Sequence, residues 1–387
     1  MTDFRVGILG LGGIGSAAAY WASRRLGSDV FGAEQFDLGH VRGGSEDHSR
    51  IIRLSYHTPG YVELAKAAYE AWEQVEVDSG EPLVLRTGGL DLAPEDAAIG
   101  LDDYRASMSA AGVHFEELDA GEVMRRWPQW RLSGDVMALF QEHSGIAMAS
   151  RANSTHRRLA MEHGATLTDG STVGRIREVG GEVEMIVGGR TVRVGSLIIA
   201  AGAWTAPLLA GLGFSVPLEV TLEQVVYLDS PDLAQFHPTR FPIWIWMDQP
   251  SFYGFPVFGE RAVKIAWDRC EIVTDPETRS FQPRADVTEA VTAFATRYLP
   301  GAAGPVRVAK TCLYTLTPDR DFIVDRVPGT ERIYAAVGAG HAFKFASLLG
   351  KVLVDLALDG ATTHDISPFS AERPILAEES PVRSYMV

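Results

Sequence analysis

An α/β chain, α+β overall, made of a discontinuous parallel-sheet domain and a second, antiparallel-sheet domain is the fold that this 387-residue sequence predicts. Three observations predict it. A strand, a glycine-rich loop and a small-residue helix open the chain at 4–22. Between 217 and 267 the pattern changes to alternating, aromatic-rich runs. From 332 onward a strand, Gly338, Gly340 and a helical stretch restore the opening character.

Each element has its own signal. The apolar run 4–9 breaks at Gly10, and Ala17, Ala18, Ala19, Trp21 and Ala22 continue as a helix. Apolar residues at helical spacing, among them Val62, Ala65, Ala68, Trp72 and Val75, predict a helix over 61–77 that Gly80 and Pro82 end. A second helix is expected from Ser150 to Gly164, followed by a buried strand at 197–200 that runs into Gly202. Strands are expected at 220–228, 243–247, 252–258 and 262–267, then a strand at 332–337 and a helix over 343–357. The expected boundaries are 1–88, 143–215 and 306–387 for the first domain, with 89–142 and 216–305 forming the second.

Composition narrows the function. Fifty Asp and Glu against 35 Lys and Arg leave a net charge of -15, which repels nucleic acid and anionic membranes, and no basic patch offsets it. Apolar runs such as 197–203 fall far short of the roughly 20 residues of a membrane helix. Nothing at the N-terminus reads as a secretion signal. Two cysteines, Cys270 and Cys312, make no disulfide framework, so a reducing cytoplasm is the expected compartment. His40, Asp47, His48 and His57 follow no ligand spacing, and no metal is expected.

Gly10, Gly12 and Gly15 fit G-x-G-x-x-G: the first permits the turn, the second lets backbone approach a pyrophosphate, and the third lets helix pack on strand. Gly13 and Ile14 complete this helix start, whose unpaired N–H groups and dipole suit a phosphate. Glu34 closes a strand over 29–33, where a carboxylate can accept from both ribose hydroxyls of an adenosine, and Gln35 follows it. A Rossmann-like dinucleotide-binding domain is therefore expected. The loop alone leaves FAD and NAD equally open.

Four motifs then occur in order: Arg50-Ile51-Ile52-Arg53, Tyr253-Gly254-Phe255-Pro256, Thr311-Cys312-Leu313-Tyr314 and Gly340-His341-Ala342-Phe343-Lys344-Phe345. Together they resemble the family of monomeric sarcosine oxidase and N-methyltryptophan oxidase, FAD-dependent amine oxidases, over nearly the whole chain to Pro368-Phe369. The resemblance implies FAD, joined through an 8α-thioether to Cys312, which otherwise reads as a small buried hydrophobe. It implies that Arg53 and Lys344 hold a substrate carboxylate, a task suited to paired cations. Arg50 would lie beside the flavin and Tyr253 in the substrate pocket, although spacing alone leaves both arginines readable as solvated charges and the tyrosine as core. Lys264, alternating with Val263 and Ile265, would stand over the flavin and stabilise oxygen as it is reduced, where the plain alternative is a snorkelling strand lysine. The remaining cofactor contacts expected from the resemblance are Gly43, Gly44, Ser45 and Ser49, then Val173, Ala201, Gly202 and Trp204, and finally Tyr314, Gly338, Gly340, His341 and Phe343.

Two positions depart from the family pattern. Glu46 and Asp268 stand where histidines are usual, which makes sarcosine itself a doubtful substrate and favours one with a further amine, hydroxyl or sugar-derived group. Trp244, Trp246 and Phe255 could wall an aromatic site, with strand-core packing the plainer role for at least two of them. The expected activity is oxidation of a secondary amine, an N-substituted amino acid, by hydride transfer to flavin N5, with imine hydrolysis and reduction of O2 to hydrogen peroxide. The alternatives are a dehydrogenase with another electron acceptor, an oxidase of cyclic or Amadori-type amino acids, and a flavin-binding protein without turnover. The partners expected are a small amine and O2, in a monomer or small homo-oligomer.

Overall fold

The computed structural model describes residues 2–378, 381 and 384. The strand Phe4–Leu9 is buried over its last four residues, and Val30–Ala33 is buried throughout. Burial on both faces goes with parallel pairing. Phe4–Leu9 accordingly runs parallel to Val30–Ala33 on one side and to Arg190–Ile199 on the other. Thr166–Thr168 extends the sheet past Val30–Ala33. The ten-residue strand Arg190–Ile199 serves two partners on its far side. Its first half pairs antiparallel with Glu182–Val187, and its end pairs parallel with Ile333–Val337. Only that buried end shows in the sequence, because the first half alternates with exposed polar residues.

Helices cover this sheet. Gly13–Leu26 packs against Ala346–Asp359, and a Cβ built on Gly350 would lie 2.6 Å from the Ala18 nitrogen, so the two helices meet backbone to backbone. The helix expected at 61–77 spans Pro59–Ser79. Thr58 caps it by accepting from the Tyr61 N–H, Pro59 occupies its first turn, and Gly80 ends it at φ +69°. The expected helix at 343–357 is corrected. Ala342–Phe345 is a tight 3₁₀ turn and the α-helix begins at Ala346. The backbone N–H groups of His341 and Ala342 both return to the Gly338 carbonyl, and Trp72 Nε1 donates to the Lys344 carbonyl at 2.7 Å. Lys344 thus stands in a locked turn immediately ahead of the helix.

The second sheet has eight strands in the spatial order Val306–Leu316, Glu219–Leu228, Val263–Trp267, Phe252–Phe255, Ile243–Trp246, Gly89–Ala93, Met137–Gln141 and Glu116–Asp119. Every pairing is antiparallel except that of Ile243–Trp246 with Gly89–Ala93. Residues 306–316, placed by sequence pattern with the first domain, pair along Glu219–Leu228, and Cys312 stands opposite Glu223. One face of the sheet packs on the helix Ala285–Tyr298, where Phe294 stacks on Trp244 at 5.3 Å and on Phe252 at 4.5 Å. Trp244 and Trp246 belong to this core and wall no site. Alternation turns Ile245, Tyr253 and Phe255 to the opposite face. A small sheet of Arg50–Ile52, Gly145–Ala147 and Val84–Arg86 bridges the two larger ones. Arg50 therefore begins a strand. Among the described residues no helix is long and apolar enough to cross a membrane.

Gly350→Ala is expected to lower stability by about 1–3 kcal/mol through overpacking, read as a lower thermal midpoint. An unchanged midpoint would mean that the two helices can part freely.

Candidate active site

The open face of the second sheet and the glycine end of the first enclose a cavity of about 780 Å3, within the roughly 300–1,000 Å3 of small-molecule sites. Its first end is the glycine loop. Gly10 has φ +84°, and a Cβ there would strike the Ala200 carbonyl oxygen at 2.6 Å. At Gly15 a Cβ would lie 1.8 Å from the Gly10 carbonyl oxygen, so this glycine is what lets the loop close. Gly12, Gly13 and Ile14 reach the wall itself. Ser45 Oγ accepts from the Gly13 N–H at 3.0 Å and ties the 43–49 loop to this helix start.

Glu34, 6% exposed, accepts from the Leu11 N–H at 2.9 Å and the Phe36 N–H at 3.2 Å, with His40 Nε2 at 3.4 Å. Burial pushes its pKa up, but His40 and the two N–H groups outweigh burial and hold the carboxyl below its ordinary range. A charged, oriented acceptor results. Gln35, Val173 and Ser49, expected among the cofactor contacts, do not reach the wall. Gln35 passes outside it, Val173 pairs with Val187 in an outlying hairpin, and Ser49 turns its hydroxyl to Lys264.

The middle of the cavity is organised by Arg50. Its guanidinium donates to the carbonyls of Ser49 at 2.9 Å, Gly44 at 2.8 Å and Glu46 at 3.3 Å, so the side chain pins the loop that runs along the wall. Gly44 passes so close to the Cys312 strand that a Cβ would sit 2.5 Å from the Leu313 carbonyl oxygen. Cys312 faces the cavity here as a free thiol. Burial pushes its pKa up while Arg50 draws it down. Ala201, Gly202 and Trp204 line one side, and Gly338, Gly340, His341 and Phe343 the other. Glu46, also at the wall, accepts from Asn153 Nδ2 at 3.0 Å and sits 3.7 Å from Arg157.

At the far end charges gather. Arg53, 4% exposed, pairs with Asp91 at 2.9 Å and lies over the rings of Tyr56 and Tyr104. Arg320, 3% exposed and at φ +61°, pairs with Asp268 at 3.3 Å, and Tyr314 donates its hydroxyl to the same carboxylate at 3.2 Å. Lys344, 9% exposed, holds its ammonium 5.5 Å from the Tyr56 ring, and no carboxylate among the described residues is paired with it. Burial, then Arg53, pushes its pKa well below the ordinary lysine value. Tyr253 lines the same end, its phenol pushed well above the usual range by burial. Phe255 lines the wall while Trp244 and Trp246 do not.

Lys264 is near this space without forming its wall. At 2% exposure it donates to Asp47 at 2.5 Å and to the Ser49 carbonyl at 3.0 Å. Sequence reasoning missed three partners: Asp47, Asp91 and Arg320. Asp91 carries a signal, an acid within the buried strand Gly89–Ala93; Asp47 and Arg320 carry none beyond their motif neighbours.

The arrangement fits a dinucleotide. Glycines stand where a Cβ at the first end would fill the cradle, Gly12 against Ser45 at 2.9 Å and Gly13 against Phe343 at 3.1 Å. A fixed carboxylate suits the ribose, and the cavity continues past Cys312 to a cationic seat.

Known proteins match throughout. The profile of the FAD dependent oxidoreductase family covers residues 5–356. The chain is 34% identical to monomeric sarcosine oxidase of Streptomyces avermitilis, over 95% of this chain and 96% of that one. It is 30% identical to N-methyl-L-tryptophan oxidase of Salmonella agona, over 95% and 98%. A solved structure of NikD, an amino acid oxidase of nikkomycin biosynthesis, superposes with a TM-score of 0.84 at 24% identity, over 96% and 97%; this likeness bears on the fold.

Asp91→Asn leaves the buried Arg53 guanidinium without its acid. A loss of about 3 kcal/mol is expected, measured by denaturant unfolding. A variant as stable as the parent would show that the tyrosines around Arg53 carry its charge.

Proposed function

Since the chain belongs to the FAD-dependent oxidoreductase family, we propose that it is an amine oxidase acting on N-substituted amino acids, with the substrate carboxylate seated at Lys344. One observation carries this reading. Of the three buried basic side chains at the far end, Arg53 and Arg320 are matched by Asp91 and Asp268, while the Lys344 amine faces the cavity with no acid paired to it among the described residues. A buried ammonium is costly until an anion meets it. A single carboxylate completes the set, and Arg53 and Arg320 flank it.

The walls assign the rest of the substrate. Asp268, already held by Arg320 and Tyr314, offers its remaining lone pairs to an N–H or O–H group. Tyr253 and Ile245 cover the apolar part. The excess of cations disfavours an ammonium, so the amine is held in its neutral form, as loss of hydride from the adjacent carbon requires. When bound, FAD supplies the two-electron acceptor for that hydride. Cys312 is the point of covalent attachment in this reading, and Glu34 with the Gly12–Ile14 loop aligns the adenosine end. Lys264 serves the second half, in which O2 accepts the electrons and leaves as hydrogen peroxide.

The deciding experiment mixes the protein anaerobically with a panel of N-methyl and N-alkyl amino acids. Bleaching of the flavin is expected, with peroxide released once air is admitted. A flavin that no amine reduces ends the reading, and reduction without peroxide formation points to a dehydrogenase. Lys344→Met is expected to raise KM by roughly 10–100-fold, in keeping with a charged hydrogen bond of about 1.5–3 kcal/mol. In Cys312→Ser, acid precipitation is expected to leave all the yellow colour in the supernatant, whereas the parent keeps it in the pellet. Colour released from both would remove the covalent link.

A further inference from the structure

Asp47 belongs to none of the motifs that identify the family, yet its carboxylate meets four side chains. Its side chain is 7% exposed. Lys264 Nζ lies 2.5 Å from one oxygen and Lys310 Nζ 3.4 Å from the other, Tyr227 donates its hydroxyl at 3.0 Å, and Arg50 stands at 3.7 Å. Lys310 continues outward to Glu260 at 3.4 Å, and Glu260 to His48 at 3.3 Å.

Lys264 has few other supports. From the 47–50 loop it meets Asp47, the carbonyl and hydroxyl of Ser49, and the like charge of Arg50. From the second sheet it meets the rings of Phe255 at 4.7 Å and Tyr227 at 5.8 Å, with the Cys312 thiol nearby. Asp47 is the one carboxylate in contact with it among the described residues. An ammonium buried to this degree discards its proton unless an opposite charge holds it.

We propose that Asp47 is a positioning residue for the oxygen half of the reaction: it keeps Lys264 as a fixed ammonium beside the cavity. The inference rests on the reading of Lys264 given above. Dioxygen takes two electrons and one proton from the reduced flavin and one proton from solvent, and leaves as hydrogen peroxide. The first electron makes it an anion, which a preoriented ammonium stabilises at no cost in reorganisation.

Burial lowers the Lys264 pKa to about 8, with Asp47 opposing the fall. The charged form is therefore full below that value and lost as pH rises through it. Without Asp47 the same loss occurs at lower pH.

The test uses the holoenzyme and its Asp47→Asn, Lys310→Met and Lys264→Met variants. Lysine labelled with 13C at Cε reports the Lys264 titration by NMR, the signal being assigned by its absence in Lys264→Met. Stopped-flow mixing of the reduced protein with O2 reports reoxidation across pH. In Asp47→Asn the Lys264 midpoint should fall by about 1–3 units. Reoxidation near neutral pH should slow by roughly 10²-fold, toward the level of Lys264→Met, with reduction by substrate much less affected. Lys310→Met, at a half-exposed position, removes a neighbouring like charge and should move the midpoint up. That variant keeps the idea testable should Asp47→Asn fail to fold. Midpoints unmoved in the variants that fold would overturn the proposal, as would a shifted midpoint with parental reoxidation in Asp47→Asn. Should Lys264→Met itself reoxidise at the parental rate, the reading of Lys264 fails first and the role of Asp47 falls with it.

Discussion

Arg50 holds the site together. Its guanidinium gathers the carbonyls of Gly44, Glu46 and Ser49, and that shapes a segment in contact with both large sheets' ends of the cavity. Ser45 in this segment reaches the glycine-loop helix, Gly44 lies against the Cys312 strand, and Asp47 pairs with Lys264 of the second sheet. A fork of five donors on a planar, permanently charged group suits such a task. The backbone oxygens of an irregular loop would otherwise be left without partners beside an apolar wall.

Charge compensation is the second constraint. Five basic side chains, at positions 50, 53, 264, 320 and 344, are buried or nearly so around one cavity, and each charge left unpaired there is costly. Asp47, Asp91 and Asp268 answer three of them, and loop carbonyls answer Arg50. Lys344 is left, held rigidly by a turn whose carbonyl is bonded to Trp72. This remaining basic group, lining the cavity without a paired acid among the described residues, marks a seat for a substrate anion.

Much of the fold was readable before the tertiary structure. The strand, loop and helix at the start, the helix Pro59–Ser79 and the run of strands in the second sheet all carry periodicity or punctuation in their own residues. Misreadings fell where local pattern and tertiary setting diverge. Arg190–Ile199 hid its polar half, because that half pairs with an exposed hairpin. Residues 306–316 were grouped with the first domain and their strand pairs in the second sheet, since alternation says which residues share a face and nothing about which neighbour pairs. Trp244 and Trp246 take the core role favoured for two of the three aromatics, and the sequence could not say which two, because Phe294 of a distant helix covers their face.

By itself the sequence marked a glycine loop and an acid at Glu34 through their own local pattern, and a thiol at Cys312 and a lysine at 344 through the resemblance of their motifs to a known family. Tertiary structure alone decided which charges meet. Asp47 and Lys264 are 217 positions apart, Arg53 and Asp91 are 38, and Asp268 and Arg320 are 52. Coulomb pairing at 3 Å depends on separation in space, which chain spacing does not encode, so the free ammonium of Lys344 became visible only once its neighbours were found paired.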